Sequence, residues 1–149
     1  MMEKTEKIKF AFIVHPLDKI APAALTSIGI CSRRLVCTLA ECHDIPVYAG
    51  KDCKRMMSHC RESLSFIFST LREEACGIPP LKVMATEQPV VASWSGGIVE
   101  TVEEGKTGIM VEPGDPDGLA EEILSLFQND GLRMAFGKGG QPRLLEKFT

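Results

Sequence analysis

Residues 66–114 contain two short apolar runs, Phe66-Ile67-Phe68 and Val90-Val91-Ala92, each followed by turn chemistry and then a helix-start signal. Four or so consecutive apolar residues bounded by turns suit a strand buried on both faces. After the first run come Gly77 and the pair Pro79-Pro80. Proline suits the first helical turn, where backbone N–H groups have no intrahelical acceptor. After the second run, Gly96-Gly97 leads into another short helix. Strand, loop, helix, repeated with short connections, demands parallel neighbouring strands and helices packed on the sheet. The reading is α/β: a three-layer, Rossmann-like domain with a parallel sheet. Two helix N-termini at adjacent strand ends would make an anion-binding edge. Its chemistry should then lie near Glu74.

Elsewhere the same alternation holds. Residues 7–14 read as a central strand, and 17–30 as a loop or short helix. Ser32 to Cys42 has helical spacing through Leu35, Val36, Leu39 and Ala40, and Ile45 to Ala49 is a strand. Lys54 to Leu64 is a helix with Met56, Met57, Cys60 and Leu64 on its inner face. Leu81, Met84 and Ala85 give the Pro79-Pro80 helix its inner face. Gly105 to Gly108 is a turn and Ile109 to Val111 a strand. Asp115-Pro116 caps and starts a helix whose stripe is Leu119, Ile123, Leu126 and Phe127. Asp130 caps a further helix. Gly137, Gly139, Gly140 and Pro142 then predict a break near 137–142, because each Gly costs about 1 kcal/mol and Pro about 3 in a helix interior.

With 149 residues the chain makes one ordinary domain, 1–149. A net charge of −3 offers no surface for nucleic acid or anionic membrane. No apolar run approaches the roughly 18–20 residues of a membrane span, and MMEKTEKIKF lacks the apolar core of a signal peptide. A cytoplasmic location is expected. Six cysteines include no Cys-x-x-Cys pair. Cys42, His43, Cys53, His59 and Cys60 could be imagined as a zinc site. Their spacing fits no finger or ribbon, and reduced thiols serving as small buried hydrophobes are the simpler reading; no metal is assigned.

A more specific signal is the ordered series Phe66 to Phe68, Glu74, Gly77-Ile78-Pro79-Pro80-Leu81, Met84-Ala85, Pro89-Val90-Val91-Ala92, Gly96-Gly97, Glu100, Val102, Gly105-Lys106-Thr107-Gly108 and Pro113-Gly114-Asp115. It resembles the C-terminal, donor-binding domain of GT-B-type retaining glycosyltransferases, the "glycosyl transferases group 1" family. The resemblance covers residues 66–149 well, 46–65 loosely and 1–45 hardly at all. It implies one half of a GT-B architecture, whose other half carries the acceptor site. It also implies hexosyl transfer from a nucleotide-diphosphate sugar as substrate, with no separate cofactor. A separate N-terminal-half subunit or a homo-oligomer would complete the cleft.

Carried over residue by residue, the resemblance makes Glu74 the carboxylate that contacts the donor sugar. The backbone of Cys76, Gly77 and Ile78 holds donor oxygens; the residues themselves suggest that the N–H groups of Gly96-Gly97, which open a helix at the next strand end, help bind a diphosphate. From the residues alone, Gly96-Gly97 serves equally as a tight turn that needs glycine for sterics. The family spaces two glutamates with seven residues between, and the second grips the nucleotide ribose; that position here is Lys82. An ammonium has three donors and no acceptor, so it cannot take the ribose hydroxyl hydrogen bonds. Either the site is weakened or Lys82 turns to the diphosphate. Thr86-Glu87-Gln88 replaces a turn in which the family has Gly, removing a residue suited to φ > 0. His15-Pro16 stands where the family has Gly-Arg, and Lys19 is a candidate for its diphosphate lysine. Two other readings follow: a degenerate module that binds a nucleotide or only a partner, and a small α/β protein with a Cys/His metal site. Trp94 would cap the core or sit on an exposed rim.

Overall fold

The computed structural model describes residues 10–14, 47–49, 53–71 and 73–149. The sequence-derived segments 17–30 and 32–42, together with His15, Lys19, Cys42 and His43, lie outside the described residues. Among the described residues five strands form one sheet: β1 (Phe10–Val14), β2 (Val47–Ala49), β3 (Ser65–Phe68), β4 (Val90–Ser93) and β5 (Gly108–Val111), in the order β2-β1-β3-β4-β5. Every pairing is parallel, with Phe12 opposite both Val47 and Ile67, Phe66 opposite Val90 and Val90 opposite Gly108. The helices are α1 (Cys53–Glu62), α2 (Ile78–Met84), α3 (Ile98–Thr101), α4 (Pro116–Gln128) and α5 (Asp130–Lys147).

Period-two alternation sorts the strand residues into two cores. Phe66, Phe68, Val90 and Ala92 pack on one face with Cys60 of α1, Val83 and Met84 of α2, and Ile98 and Val102 at α3. Ile67, Val91, Ile109 and Val111 pack on the other face with Leu119, Ile123 and Leu126 of α4 and Phe136 of α5. Helices therefore cover both faces, which is why the strands read as continuous apolar runs. The expected three-layer parallel α/β fold is the observed one.

Several local expectations are corrected. On α2 the inner face is Pro80, Val83 and Met84, with Leu81 half-buried against the same core as expected, while Ala85 is exposed beyond the helix end. On α4 the stripe is Leu119, Ile123 and Leu126; Phe127 is turned outward. Asp115 caps α4 as expected, accepting from the amide of Gly118 at 3.0 Å. The cap of α5, however, is Asn129, which accepts from the Leu132 amide at 3.0 Å, and Asp130 is the first helical residue, paired with Arg133.

The expected break at 137–142 does not occur. Helix α5 runs unbroken over 18 residues with Gly137, Gly139, Gly140 and Pro142 inside it. The glycines sit where the helix crosses other backbone: Gly137 against Glu87, Gly139 against Lys106, and Gly140 against Met84. Close packing outweighs the intrinsic cost of glycine, a tertiary override of propensity.

The turn after α2 keeps its conformation without glycine. Glu87 has φ 56° and is the positive-φ residue other than glycine among the described residues. A side chain in that region costs about 1–2 kcal/mol. Glu87→Gly should therefore stabilise the fold by about 0.5–1 kcal/mol after the larger unfolded-state entropy of glycine is subtracted. Thermal melts should show this as a rise of about 2–3 °C in Tm; an unchanged or lower Tm would mean the Glu87 side chain contributes contacts that outweigh its strain.

Candidate functional site: a glycine-built junction at the C-terminal edge of the sheet

In an open parallel sheet, ligands bind beyond the C-terminal strand ends where the strand order reverses. Here the order β2-β1-β3 reverses between β1 and β3, so the loop after β3 borders that crevice. Three loops follow β3, β4 and β5 on this edge. They are tied together: the Thr70 amide donates to Ser93 Oγ at 3.0 Å, and the Trp94 amide to the Val111 carbonyl at 2.7 Å. Gly114, at φ 81°, lies against Leu71. Ile78 and Trp94 are both about half exposed on this edge, at 54% and 51%, so Trp94 is on the rim and not in the core.

The structure brings Glu74, Cys76, Gly77, Gly96 and Gly97 into one junction. The Gly97 amide donates to the Glu74 carbonyl at 2.5 Å. At Gly96, φ is 47°, and an added Cβ would lie 2.7 Å from the Glu74 backbone nitrogen and closer still to its carbonyl oxygen. At Gly97 a Cβ would lie 2.5 Å from the Ala75 carbonyl oxygen. Sterics alone thus fix both glycines, and the Gly97 N–H is already spent on Glu74. Glu74 itself is half-buried, with Oε1 in the interior of the junction.

Gly77 caps α2 at φ 61°, ψ 41°, a left-handed conformation that favours glycine. A Cβ there would also press on Thr101 Oγ1 at 3.1 Å and Ile98 Cα at 3.3 Å. The first turn of a helix leaves its N–H groups without intrahelical acceptors. Pro79 and Pro80 carry no N–H, so the amides of this turn before Leu81 are those of Gly77, which is buried, and Ile78, with Cys76 just before them. Lys82 lies one turn beyond Ile78 and is half-buried.

Two residues that the sequence did not flag organise this junction. Thr101, fully buried, donates its hydroxyl to the Cys76 carbonyl at 2.9 Å, with the Gly97 carbonyl at 3.1 Å. Arg143 of α5 donates to the carbonyls of Thr101 at 2.7 Å and Glu100 at 2.6 Å, the last carbonyls of α3, and to Glu103 Oε2 at 2.6 Å. An arginine there satisfies orphan carbonyls and complements the negative helix end. Glu103 also takes a hydrogen bond from Lys106; that bond first, then the charges of Lys106, Arg143 and Lys147, hold its carboxyl below the ordinary range. No local motif marks Thr101, since its acceptor is 25 residues away in sequence.

Cys60 is fully buried, and burial pushes its thiol up to about 11, which suits a small hydrophobe. Among the described residues no group of three or more His, Cys, Asp or Glu side chains is placed to hold a metal; Cys42, His43 and the side chains of Cys53 and His59 lie outside them. No helix among the described residues is long and apolar enough to cross a membrane.

A parallel α/β layer sandwich with a glycine-built loop junction beyond its C-terminal strand ends defines the Rossmann-like half-domain class. Within that class, the chain belongs to the glycosyl transferases group 1 family, whose model matches residues 15–129. It is 36% identical over 85 residues to an uncharacterized glycosyltransferase of Methanocaldococcus jannaschii, covering 57% of this chain and 24% of that protein. It is 37% identical over 84 residues to the capsular polysaccharide biosynthesis glycosyltransferase CapM of Staphylococcus aureus, covering 56% and 22%. The matched stretch thus spans about a quarter or less of these relatives. Among solved structures, the fold is similar to that of sucrose-phosphate synthase from Thermosynechococcus elongatus (TM-score 0.73, 17% identity, 97% of this chain and 42% of that one). It is also similar to the C-terminal domain of a glycosyl transferase group 1 family protein from Francisella tularensis (TM-score 0.68, 16% identity, 95% and 86%). These likenesses are to GT-B glycosyltransferases, and the chain has the fold of one half of that architecture.

Proposed function

We propose that residues 1–149 form the donor-binding half of a glycosyltransferase, which takes a hexose from a nucleotide-diphosphate sugar. In that reaction the bond between sugar C1 and the diphosphate oxygen breaks, and a bond from C1 to an acceptor oxygen forms. The acceptor proton is lost and the nucleoside diphosphate leaves. The observation that carries this reading is the seating of the Glu74 loop on Gly96-Gly97, beside the reversal of strand order. It brings Glu74 and the Cys76–Ile78 backbone together at one edge of the sheet, and in this reading they supply an acceptor for sugar hydroxyls and donors for anionic oxygens. Family membership supports the same assignment, as does the solved complex of Anabaena HepE with UDP and glucose, to which this fold is similar with a TM-score of 0.68 and 17% identity.

In this reading Glu74 contacts the donor sugar, and Gly96 and Gly97 shape the floor beneath it. Lys82 stands where ribose recognition would need an acceptor. The acceptor substrate and part of the cleft come from a second half-domain, in a separate subunit or a second copy of the chain; positioning both substrates is most of what such a catalyst supplies.

Calorimetric titration of the chain with UDP, GDP and ADP, beside Lys82→Glu, tests this. The expected result is binding of one diphosphate, tightened about tenfold or more by Lys82→Glu, as a carboxylate that accepts two hydrogen bonds replaces an ammonium that accepts none. Tighter binding by the natural Lys82 would instead assign that ammonium to the diphosphate. Absence of binding by both proteins would remove the donor-site reading and leave a partner-binding module.

A further inference from the structure

We propose that Thr101, braced by Arg143, is a positioning residue for the Glu74–Ile78 loop. This deepens the donor-site reading and rests on it for its functional consequence. Helix α3 is four residues long, so its two ends lie within one turn of each other. The residue that caps its start carries the Glu74 loop, through the Gly97 amide on the Glu74 carbonyl at 2.5 Å. Its last residue carries the same loop two residues further on, through Thr101 Oγ1 on the Cys76 carbonyl at 2.9 Å. One turn of helix therefore grips the loop at both sides of Ala75.

So short a helix has little stability of its own. Its far end is held from α5: Arg143, with its side chain 10% exposed, gives hydrogen bonds to the Glu100 and Thr101 carbonyls and an ion pair to Glu103. Arg143 thus fixes the backbone of the residue whose hydroxyl fixes the loop. The order of transmission is α5, then α3, then the loop holding Glu74 and the amides of Cys76, Gly77 and Ile78. Gly77 has little slack in this arrangement, since a Cβ on it would meet Thr101 Oγ1 at 3.1 Å.

The test is residue-resolved amide exchange by NMR on the parent chain, Thr101→Val, Thr101→Ser and Arg143→Lys. Two amides report the loop: Gly97, bonded to the Glu74 carbonyl, and Leu81, bonded to the Gly77 carbonyl. Phe66, fully buried in β3 with its amide donating to the Pro89 carbonyl at 2.9 Å, reports the sheet. Thr101→Val should speed exchange at Gly97 and Leu81 about tenfold, the effect of one lost hydrogen bond on a local opening, and leave Phe66 unchanged. Thr101→Ser should restore parental exchange, and Arg143→Lys should speed Gly97 and Leu81 about threefold, because an ammonium cannot span both carbonyls. Equal acceleration at all three amides, or none at Gly97 and Leu81, would overturn the brace. Should Thr101→Val fail to fold, Thr101→Ser and Arg143→Lys decide the matter by the same comparison.

Titration with UDP, GDP and ADP supplies the functional arm. If the parent binds a diphosphate, Thr101→Val should weaken it about tenfold and Thr101→Ser should recover it, whereas undiminished binding by Thr101→Val would deny the positioning role. If neither the parent nor Lys82→Glu binds one, the donor-site reading fails, while the exchange comparison still decides whether Thr101 and Arg143 set the loop.

Discussion

Replacing Gly137 by alanine should destabilise the fold by about 3 kcal/mol, although the same change raises helix propensity by about 1 kcal/mol. Gly137 is buried in the middle of α5, and an added Cβ would lie 3.0 Å from the Glu87 carbonyl carbon and closer still to its oxygen. Both partners are backbone, so no side-chain rotation relieves the overlap. The helix must lift, and lifting it separates Gly140 from Met84 and draws Phe136 out of the core it shares with Ile109 and Leu126. Gly131→Ala on the same helix is the control. Gly131 is exposed, and its nearest neighbour to an added Cβ is the Asn129 side-chain oxygen at 3.5 Å, so this change should stabilise by up to about 1 kcal/mol. Urea unfolding of the two variants and the parent, at an unchanged slope, measures both signs. Two stabilised variants would mean that α5 does not pack on the Glu87 turn.

The same helix shows where sequence reading reaches its limit. A break at 137–142 follows from propensity, and propensity treats each glycine as a loss. It carries no information about what crosses the helix 50 residues away. What was legible depended on local pattern: the buried runs at Phe66 and Val90, the Asp115-Pro116 start, and the αL requirement at the Glu87 turn, which the backbone keeps at φ 56° even without glycine. Errors gathered at element ends. Ala85 and Phe127 are the last apolar residues of their stripes, and there the neighbouring layer no longer covers the helix; Asn129 took the cap from Asp130 by one position. The candidate site divides the same way. Glu74, Gly77, Gly96 and Gly97 could be singled out from sequence, and they meet in space. Thr101 and Arg143 could not, since their roles lie in carbonyls contributed by other elements.

Gly96→Ala should be the most damaging single change at the candidate site, costing about 3 kcal/mol of stability. About 1–2 kcal/mol of this comes from forcing an alanine into the left-handed region, since φ is 47°. The rest comes from overlap with the Glu74 backbone, with the nitrogen 2.7 Å from the added Cβ. Gly105→Ala separates the two terms. Gly105 has φ 72° but nothing within 4 Å of an added Cβ, so it bears the conformational strain alone and should lose only about 1–2 kcal/mol. The difference between the variants is the steric cost of seating the turn on Glu74. Relieving that overlap pushes the turn away and breaks the Gly97–Glu74 hydrogen bond. On the donor-site reading Gly96→Ala therefore also loses diphosphate affinity, by about tenfold or more, whereas Gly105→Ala keeps it. Equal stability losses for the two would show that Gly96 needs only its φ. Equal affinity with unequal stability would show that the junction holds the fold together without presenting Glu74 to a ligand.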